Sequence, residues 1–326
     1  MWQIKAPSAI VAEICAKVSR LGNFTHYLFS VFMTDKLRAY LYLHFCVLIW
    51  GFTAILGKLI SLKAVPLVWW RVALCCATLM VFIPHKQFQG ISRRRYIQMF
   101  GIGILVGLHW LCFYGAIKLS NASVAVATMA TTSFFSALVE PLLTRQKVKG
   151  YELALGLLIL PGIALIAGNI DWEMRVGFGV GIVGALLASV FSSLNKKLID
   201  NNPPPPLVMS LTELSGGMAL CSLVLPFMLW QSPDTVLLPT KMDWGWLFIL
   251  AWVCTLLPYY LTLLAMRYIS AFATNLTINL EPVYGVLLAA VFFREDKDLN
   301  PQFYLGVIVI LLAVFSHPFL KKYFER

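Results

Sequence analysis

Charged residues are scarce in this sequence. Of its 326 residues, 13% are Asp, Glu, Lys or Arg, whereas a soluble domain averages roughly 25%. Hydrophobic residues account for 60% of the chain, and its mean hydropathy is +0.79. A soluble core does not require so much apolar material, so the composition excludes a soluble globular protein. It predicts an all-α integral membrane protein.

Motifs for metals, nucleotides and catalysis are also missing. The 7 cysteines show no metal-ligand spacing, and most lie in apolar runs, so we expect no disulfides. The glycines of 179–184 match the dinucleotide-binding fingerprint, but they follow no predicted strand, and we interpret them as helix packing. Walker sequences, zinc-type His clusters and nucleophile elbows do not occur. We therefore predict no catalytic residues, no metal and no cofactor.

The charge that is present is mostly basic, with a net value of +11. If the N-terminus lies inside the cell, most Lys and Arg residues fall on the cytoplasmic side, including Arg93, Arg94 and Arg95. This is the pattern of membrane topology rather than of nucleic-acid binding. We predict that both termini are cytoplasmic and that nucleic acid is not a partner.

Ten apolar runs follow residue 36, each near the ~20 residues needed to cross the hydrocarbon core. They are 39–61, 65–83, 97–117, 122–143, 151–169, 177–199, 206–229, 244–266, 271–293 and 302–320. Residues 1–36 are a separate N-terminal segment, either an interfacial helix or sequence upstream of the true start. Residues 321–326 form a basic tail.

An internal repeat relates the two halves of the chain. The stretch Ala116–Gln146 matches Ala265–Glu295 without gaps, at a constant offset of 149 residues. We place the first repeat at 37–170 and the second at 171–320. Because each repeat would hold five spans, an odd number, the second must enter the membrane from the opposite side. Inverted repeats of this kind are typical of alternating-access transporters, whose sites lie near the midplane between the halves.

Several short patterns resemble one known family. They are Trp50-Gly-Phe with Lys58 in span one, Pro66 with Arg71 in span two, and Leu280-Glu-Pro-Val with Phe293-Arg-Glu at the end of span nine. The chain from Lys36 onward resembles the drug/metabolite transporter superfamily, EamA-type branch. Ser133 and Gln146 depart from the family pattern, which usually has a proline and an acid there. The resemblance implies ten transmembrane helices in two inverted five-helix repeats, and export of small metabolites across a bacterial inner membrane.

Ionisable side chains inside apolar runs are the first candidates for a site, because lipid makes them costly. Glu281 lies about 15 Å into span nine, close to mid-membrane, and it is our candidate for proton coupling. Arg71 lies about 7–9 Å inside span two and is suited to an anionic group. The alternative for Glu281 is an acid that is paired or that caps a neighbouring helix.

Aromatic and histidine side chains at similar depth complete the predicted substrate site: Trp50, His109, Trp110, Tyr114, Tyr259 and Tyr260. His109 can hydrogen-bond a substrate carboxylate, but it is equally well explained by a bond to a neighbouring helix. A packing or lipid-facing role is the alternative for Trp50. We expect Asn275 and Asn279 to share one helix face, and Glu281 to share another with Thr274 and Thr277.

The sequence therefore predicts a transporter for small, amino-acid-like or amphipathic metabolites. The expected partners are the substrate, membrane lipid and a possible coupling proton, and the protein is expected to be a monomer or homodimer. A sugar-phosphate or nucleotide-sugar carrier is the nearest alternative, and it should place several Lys or Arg residues in the cavity. Outside transport, the alternatives are an integral-membrane enzyme acting on lipid and a non-transporting receptor or assembly factor.

Overall fold

The computed structural model describes residues 34–168, 170–281, 284–285, 288, 291–292 and 300–324. Within these ranges the chain is helical and contains no strand. The predictions for residues 1–33, for the Pro-Val pair at 282–283, for Phe293-Arg-Glu and for residues 325–326 fall outside the described residues.

The helices follow the predicted apolar runs closely. The first half contains α1 (Asp35–Leu59), α2 (Ala64–Phe82), α3 (Arg93–Leu119), α4 (Ala122–Met129), α5 (Thr131–Thr144) and α6 (Gly150–Gly168). The second half contains α7 (Arg175–Asp200), α8 (Pro206–Gln231), α9 (Lys241–Phe248), α10 (Leu257–Ala265), α11 (Ala271–Ile278) and α12 (Pro301–Phe324). Short 3₁₀ turns occur at His85–Phe88 and Trp172–Met174, and a π-helical segment, Ile249–Leu256, joins α9 to α10.

Among the described residues, seven helical segments are long and apolar enough to cross a membrane. They are Asp35–Leu59, Ala64–Phe82, Arg93–Leu119, Ala122–Thr144, Trp172–Asp200, Pro206–Gln231 and Lys241–Ala265. The structure is therefore that of an all-helical, multi-pass membrane protein. The sequence prediction of ten spans in two inverted repeats goes further than this finding.

Local sequence explains where several helices begin. Thr240 and Asp243 form a capping box at the start of α9, in which each side chain accepts a hydrogen bond from the other residue's backbone N–H. Pro206 is the first residue of α8, a position at which its missing N–H costs nothing. The prolines at 203–205 therefore precede the helix, and the fourth, Pro206, starts it.

Helix α3 packs closely against α8 through glycines. A Cβ atom at Gly103 would collide with the backbone carbonyl of Glu213, and one at Gly107 would lie 2.8 Å from the Cα of Gly217. Such close approach is how small residues let membrane helices pack. By contrast, Gly101 and Gly179 have no atom within 4 Å of that position. Among the glycines at 101–107 and at 179–184, therefore, only some serve helix packing.

Two helices are interrupted after eight residues. Helix α4 ends at Met129 and the chain turns at Ala130, while α11 ends at Ile278 and turns at Asn279. The backbone N–H of Ala130 bonds to the carbonyl of Ala127 at 3.2 Å, and that of Leu280, which follows Asn279, bonds to Thr277 at 3.1 Å. These tighter i→i−3 bonds break the regular α-helical ladder at both places.

Candidate functional site

One cavity of about 130 Å³ lies between the two halves of the chain. It is many times larger than the ~10–15 Å³ that a single water molecule needs. The lining residues come from α1, α2, α3 and α5 and from α7, α10 and α11, together with α4 and the π-helical segment. All of the predicted site residues except Tyr260 line it: Trp50, Arg71, His109, Trp110, Tyr114, Tyr259 and Glu281. Their role in substrate binding stays a prediction.

Arg71 is the best-defined group in the cavity wall. Its residue is only 3% exposed. Its Nε donates to Thr255 Oγ1 at 2.5 Å, and its Nη1 donates to the hydroxyl of Tyr114 at 2.9 Å. The guanidinium carbon lies 4.1 Å from the centre of the Trp110 ring, a cation–π distance. These contacts fix the orientation of a cation whose Nη2 has no hydrogen-bond partner among the described residues.

The π-helical segment explains the position of Thr255. Its hydroxyl also donates to the carbonyl of Leu250, five residues earlier, at 2.6 Å. A π-helical turn leaves such carbonyls available, and Pro258 follows at the start of α10, where it lacks an N–H to continue the ladder. A proline inside an apolar run is visible in the sequence, but nothing there shows that the preceding turn presents Thr255 to Arg71.

His109 contacts both a neighbouring helix and the cavity. Its Nδ1 lies 2.9 Å from the carbonyl of Gly184 on α7, so one ring nitrogen bonds a neighbouring helix. The ring also lines the cavity and contacts Phe113 and Phe191. The two alternatives weighed for this residue, a cavity group and a helix-bonded group, therefore both describe it. Only Nε2 remains for a ligand.

Glu281 and Thr274 both line the cavity, whereas Thr277, which we expected to share their face, does not. Within the described residues, no basic side chain forms an ion pair with Glu281, and no hydrogen bond to its carboxyl group occurs.

Asn275 also lines the cavity, and its amide donates to Ser136 and Ser192, both at 2.7 Å. Asn279 donates to Ser133, on the same helix as Ser136, so both asparagines face α5.

Tyr259 and Tyr260 have different surroundings. Tyr259 lines the cavity, and its ring lies edge-on to Trp110 with the centroids 6.2 Å apart. Tyr260 does not line the cavity. Successive residues on a helix point about 100° apart, so one cavity accepts one of them and not the other. The prediction that Tyr260 lies in the site is not supported by this geometry.

Sequence analysis missed several hydroxyl and amide groups in the cavity wall, namely Thr53, Thr132, Ser192, Asn195, Thr255 and Thr262. Three of them, Thr53, Ser192 and Thr255, bond backbone carbonyls of their own helical segments; Thr53, for example, donates to Trp50 at 2.7 Å. Small polar residues are common in membrane helices and do not stand out from an apolar run. The sequence carried one signal for this group. Ser189, Ser192 and Asn195 are spaced three residues apart and therefore lie on one side of α7.

Glu140 is a structural group rather than part of the cavity. Its carboxylate accepts from the backbone N–H groups of Ala271 at 3.0 Å and Phe272 at 2.5 Å. It therefore caps the N-terminus of α11, where a helix favours negative charge. An acid that caps a helix of the other half of the chain could not be recognised from its neighbours in sequence.

A multi-pass helical bundle that surrounds a charge-bearing cavity is typical of membrane transporters. The sequence profile of the EamA-like transporter family matches this chain twice, at residues 37–168 and at residues 175–316. The chain therefore belongs to the EamA-like transporter family, and the resemblance noted from its sequence is confirmed.

Individual relatives are distant. The chain is 21% identical over 305 residues to a protein of Bacillus subtilis (strain 168) named "Uncharacterized transporter YetK", and the match covers 90% of each chain. A solved structure titled "Crystal structure of protein" has the same fold, with a TM-score of 0.63, at 15% identity. That match covers 88% of this chain and 99% of the other. None of these names specifies a substrate.

Proposed function

We propose that this transporter exports small zwitterionic, amino-acid-like metabolites, as a secondary active or facilitative carrier working by alternating access. The observation that carries the proposal is the pairing of Arg71 and Glu281 in one cavity. They supply one positive and one negative group, and the described part of the chain contains no ion pair that includes either of them.

A zwitterion satisfies both charges at once. Arg71 is already oriented by Tyr114 and Thr255, so its remaining N–H groups can bind a carboxylate without losing much side-chain entropy. Glu281 can accept from an ammonium group. The rest of the lining includes Trp50, Phe113 and Phe191, which suits an apolar side chain.

A sugar-phosphate or nucleotide-sugar carrier fits this cavity less well. A phosphate carries more negative charge than a carboxylate and is usually bound by several basic side chains. Arg71 is the one Lys or Arg among the described residues that line the cavity. Lys58, the other candidate, is exposed on α1 and does not line it. An amino-acid-like substrate is therefore the better match.

We further propose ten spans arranged as two inverted repeats, at 37–170 and 171–320. The two separate matches of the family profile support this division. So do residues 149 positions apart: Asn121 caps α4 by accepting from Val124, and Ser270 caps α11 by accepting from Ala273. Equivalent residues that perform the same structural task are expected if the halves share one fold.

The two helix interruptions also lie 149 residues apart, and they touch. The side-chain amide of Asn279 donates to the carbonyl of Ala130 at 3.0 Å, and also to Ser133 at 2.7 Å. A residue that contacts its own repeat equivalent lies close to a two-fold axis relating the halves. Interrupted helices near such an axis are where transporters of this type form their sites.

Contacts at opposite ends of the bundle support alternating access. After α1, the backbone N–H and hydroxyl of Ser61 donate to Asp243 at 2.8 and 2.7 Å. After α7, the repeat counterpart of α1, the carbonyls of Asn201 and Asn202 accept from the guanidinium of Arg95. Each contact joins the two halves of the chain. In an alternating-access cycle, the substrate reaches a given side of the membrane only when the contact at that end opens.

Under the same proposal the protein lies in a bacterial inner membrane with cytoplasmic termini. If transport is driven by protons, Glu281 is the carboxyl group that can bind either a proton or the substrate's ammonium group. Monomer and homodimer both remain consistent with this mechanism.

The test is efflux from proteoliposomes loaded with a mixed pool of amino acids and sugar phosphates. We expect selective efflux of amino acids, lost in Arg71→Gln and retained in Lys58→Gln, which removes a positive charge outside the cavity. Efflux of sugar phosphates instead of amino acids, or equal loss in both variants, would reject the zwitterion proposal.

A further inference from the structure

Glu213, on α8, is a second buried acid that the substrate proposal does not use. Its residue is 0% exposed. One carboxyl oxygen, Oε2, accepts from the hydroxyl of Tyr259 and from Asn195 Nδ2, the latter at 3.2 Å. The other oxygen, Oε1, is buried and has no hydrogen-bond partner. Native proteins rarely leave a buried carboxyl oxygen unpartnered, so this one requires an explanation.

The helices packed against Glu213 bring no positive charge to it. Tyr259 faces it from α10 and Asn195 from α7, α3 contributes Gly103 against its backbone, and α2 contributes Cys76 next to Ser215. No Lys, Arg or His in the described ranges forms an ion pair with it. A buried carboxylate without a counter-charge is costly, and a proton on Oε1 is the group that would neutralise it.

Two of these neighbours connect Glu213 to the substrate cavity. Tyr259 and Asn195 both line the cavity, whereas Glu213 does not. Glu213 is therefore separated from the cavity by a single layer of side chains. The hydroxyl of Tyr259 cannot donate to Glu213 and to a ligand at the same time, because it has one hydrogen to donate.

The arrangement mirrors that of Arg71 with the opposite charge. Arg71, five residues after Pro66 on α2, bonds to Tyr114 on α3. Glu213, seven residues after Pro206 on α8, bonds to Tyr259 on α10. In each half, a charged side chain near the start of one helix thus bonds to a cavity tyrosine of the next membrane-crossing segment. The first reaches the substrate cavity directly, while the second acts through its tyrosine.

We propose that Glu213 is a proton-binding site and that the hydroxyl of Tyr259 couples its protonation to the presence of substrate in the cavity. A ligand that engages Tyr259 changes the hydrogen bond to Oε2, and Glu213 then exchanges a proton with the solvent. The proton adds to or leaves a carboxyl oxygen, and no other bond changes. By linkage, pH must then change substrate affinity. The coupling half of this proposal rests on the proposed transport function, but proton binding itself does not.

The first test needs no substrate. Infrared difference spectra of the purified protein, recorded during a pH titration, should contain the carbonyl-stretch band of a protonated carboxyl group. We expect that band to lose one component in Glu213→Gln, a variant of nearly the same shape that still offers an acceptor to Tyr259. Titration spectra identical in the wild type and in Glu213→Gln would overturn the proposal, whatever the protein transports.

The second test measures coupling, with an equimolar mixture of neutral amino acids as the probe. One linked proton changes apparent affinity up to about tenfold per pH unit. We expect that dependence to fall by one proton in Glu213→Gln and in Tyr259→Phe, with Tyr260→Phe behaving as wild type because Tyr260 lies outside the cavity. Equal pH dependence in Tyr259→Phe and Tyr260→Phe would overturn the coupling, while absence of binding in the wild type would reject the proposed substrate class instead.

Discussion

Under the proposed function, Arg71 is the residue on which substrate recognition depends most directly. Its Nε and Nη1 are held by two hydroxyl groups and its plane by Trp110, so the remaining N–H groups have a fixed direction. A lysine at this position would keep the charge but would lose the planar arrangement of donors. Recognition therefore requires the shape of the guanidinium as well as its charge.

We expect Arg71→Lys to weaken substrate binding by roughly 10–100-fold. This range corresponds to the loss of one charged hydrogen bond, about 1.5–3 kcal/mol. Equilibrium binding to protein in detergent is the measurement, and Lys58→Arg, a charge-conserving change outside the cavity, is the control. Unchanged affinity in Arg71→Lys would show that recognition does not require the shape of the guanidinium.

Glu281 is the residue that we expect to couple transport to a proton gradient. If it carries the coupling proton, Glu281→Gln fixes it in a neutral state, and flux driven by a pH gradient should disappear. Exchange of labelled for unlabelled substrate, which needs no gradient, should persist with reduced affinity. Gradient-driven flux and exchange measured on the same proteoliposomes distinguish these effects, and gradient-driven flux at the wild-type level would remove Glu281 as the proton carrier.

At the scale of helices, the contact of α3 with α8 controls stability. The backbone of Glu213 lies where a Cβ of residue 103 would be, so an alanine there must push the two helices apart. Overpacking of this kind costs about 1–3 kcal/mol. Gly101, two residues earlier on the same helix, has open space around it.

We therefore expect Gly103→Ala to lower the thermal unfolding midpoint in detergent, and Gly101→Ala to leave it unchanged or raise it slightly, since alanine favours a helix. The two variants differ only in which side of α3 carries the added methyl group. Equal midpoints for both would show that α3 and α8 are not in close contact.

The ends of the helices show which structural features could be predicted from the sequence and which could not. The positions of the helices were predictable, because an apolar run of membrane-crossing length has few alternatives. The π-helical segment before Pro258 and the capping of α11 by Glu140 were not predictable, because both depend on partners from distant parts of the chain. Of the candidate site, the charged and aromatic members could be named from their depth, whereas the hydroxyl groups that hold them could not.

For the whole molecule, alternating access requires that the contacts at the two ends of the bundle open in turn. Cysteines at Ser61 and Asp243 would allow one end to be closed with a short thiol cross-linker, and cysteines at Arg95 and Asn201 the other. We expect either cross-link to stop transport and a reducible linker to restore it on reduction.

The single-cysteine variants treated with the same reagent are the controls, since they cannot be cross-linked. Of the six native cysteines that the structure describes, five are buried and Cys112 is only partly accessible, so these six react poorly with the reagent. Full transport activity in a demonstrably cross-linked protein would contradict alternating access through these two ends.

The sequence by itself determined that this protein is an all-helical membrane protein, that it belongs to a transporter family, and that Arg71 and Glu281 are the charges most in need of explanation. These conclusions follow from composition, run length and depth, which are properties of each segment alone. Only the tertiary structure decided that Arg71 is held by Tyr114 and Thr255, that Glu213 meets Tyr259 and Asn195, and that Ala130 meets Asn279. Such contacts join helices far apart in sequence, and helical periodicity gives the face of a residue without identifying the helix that it faces.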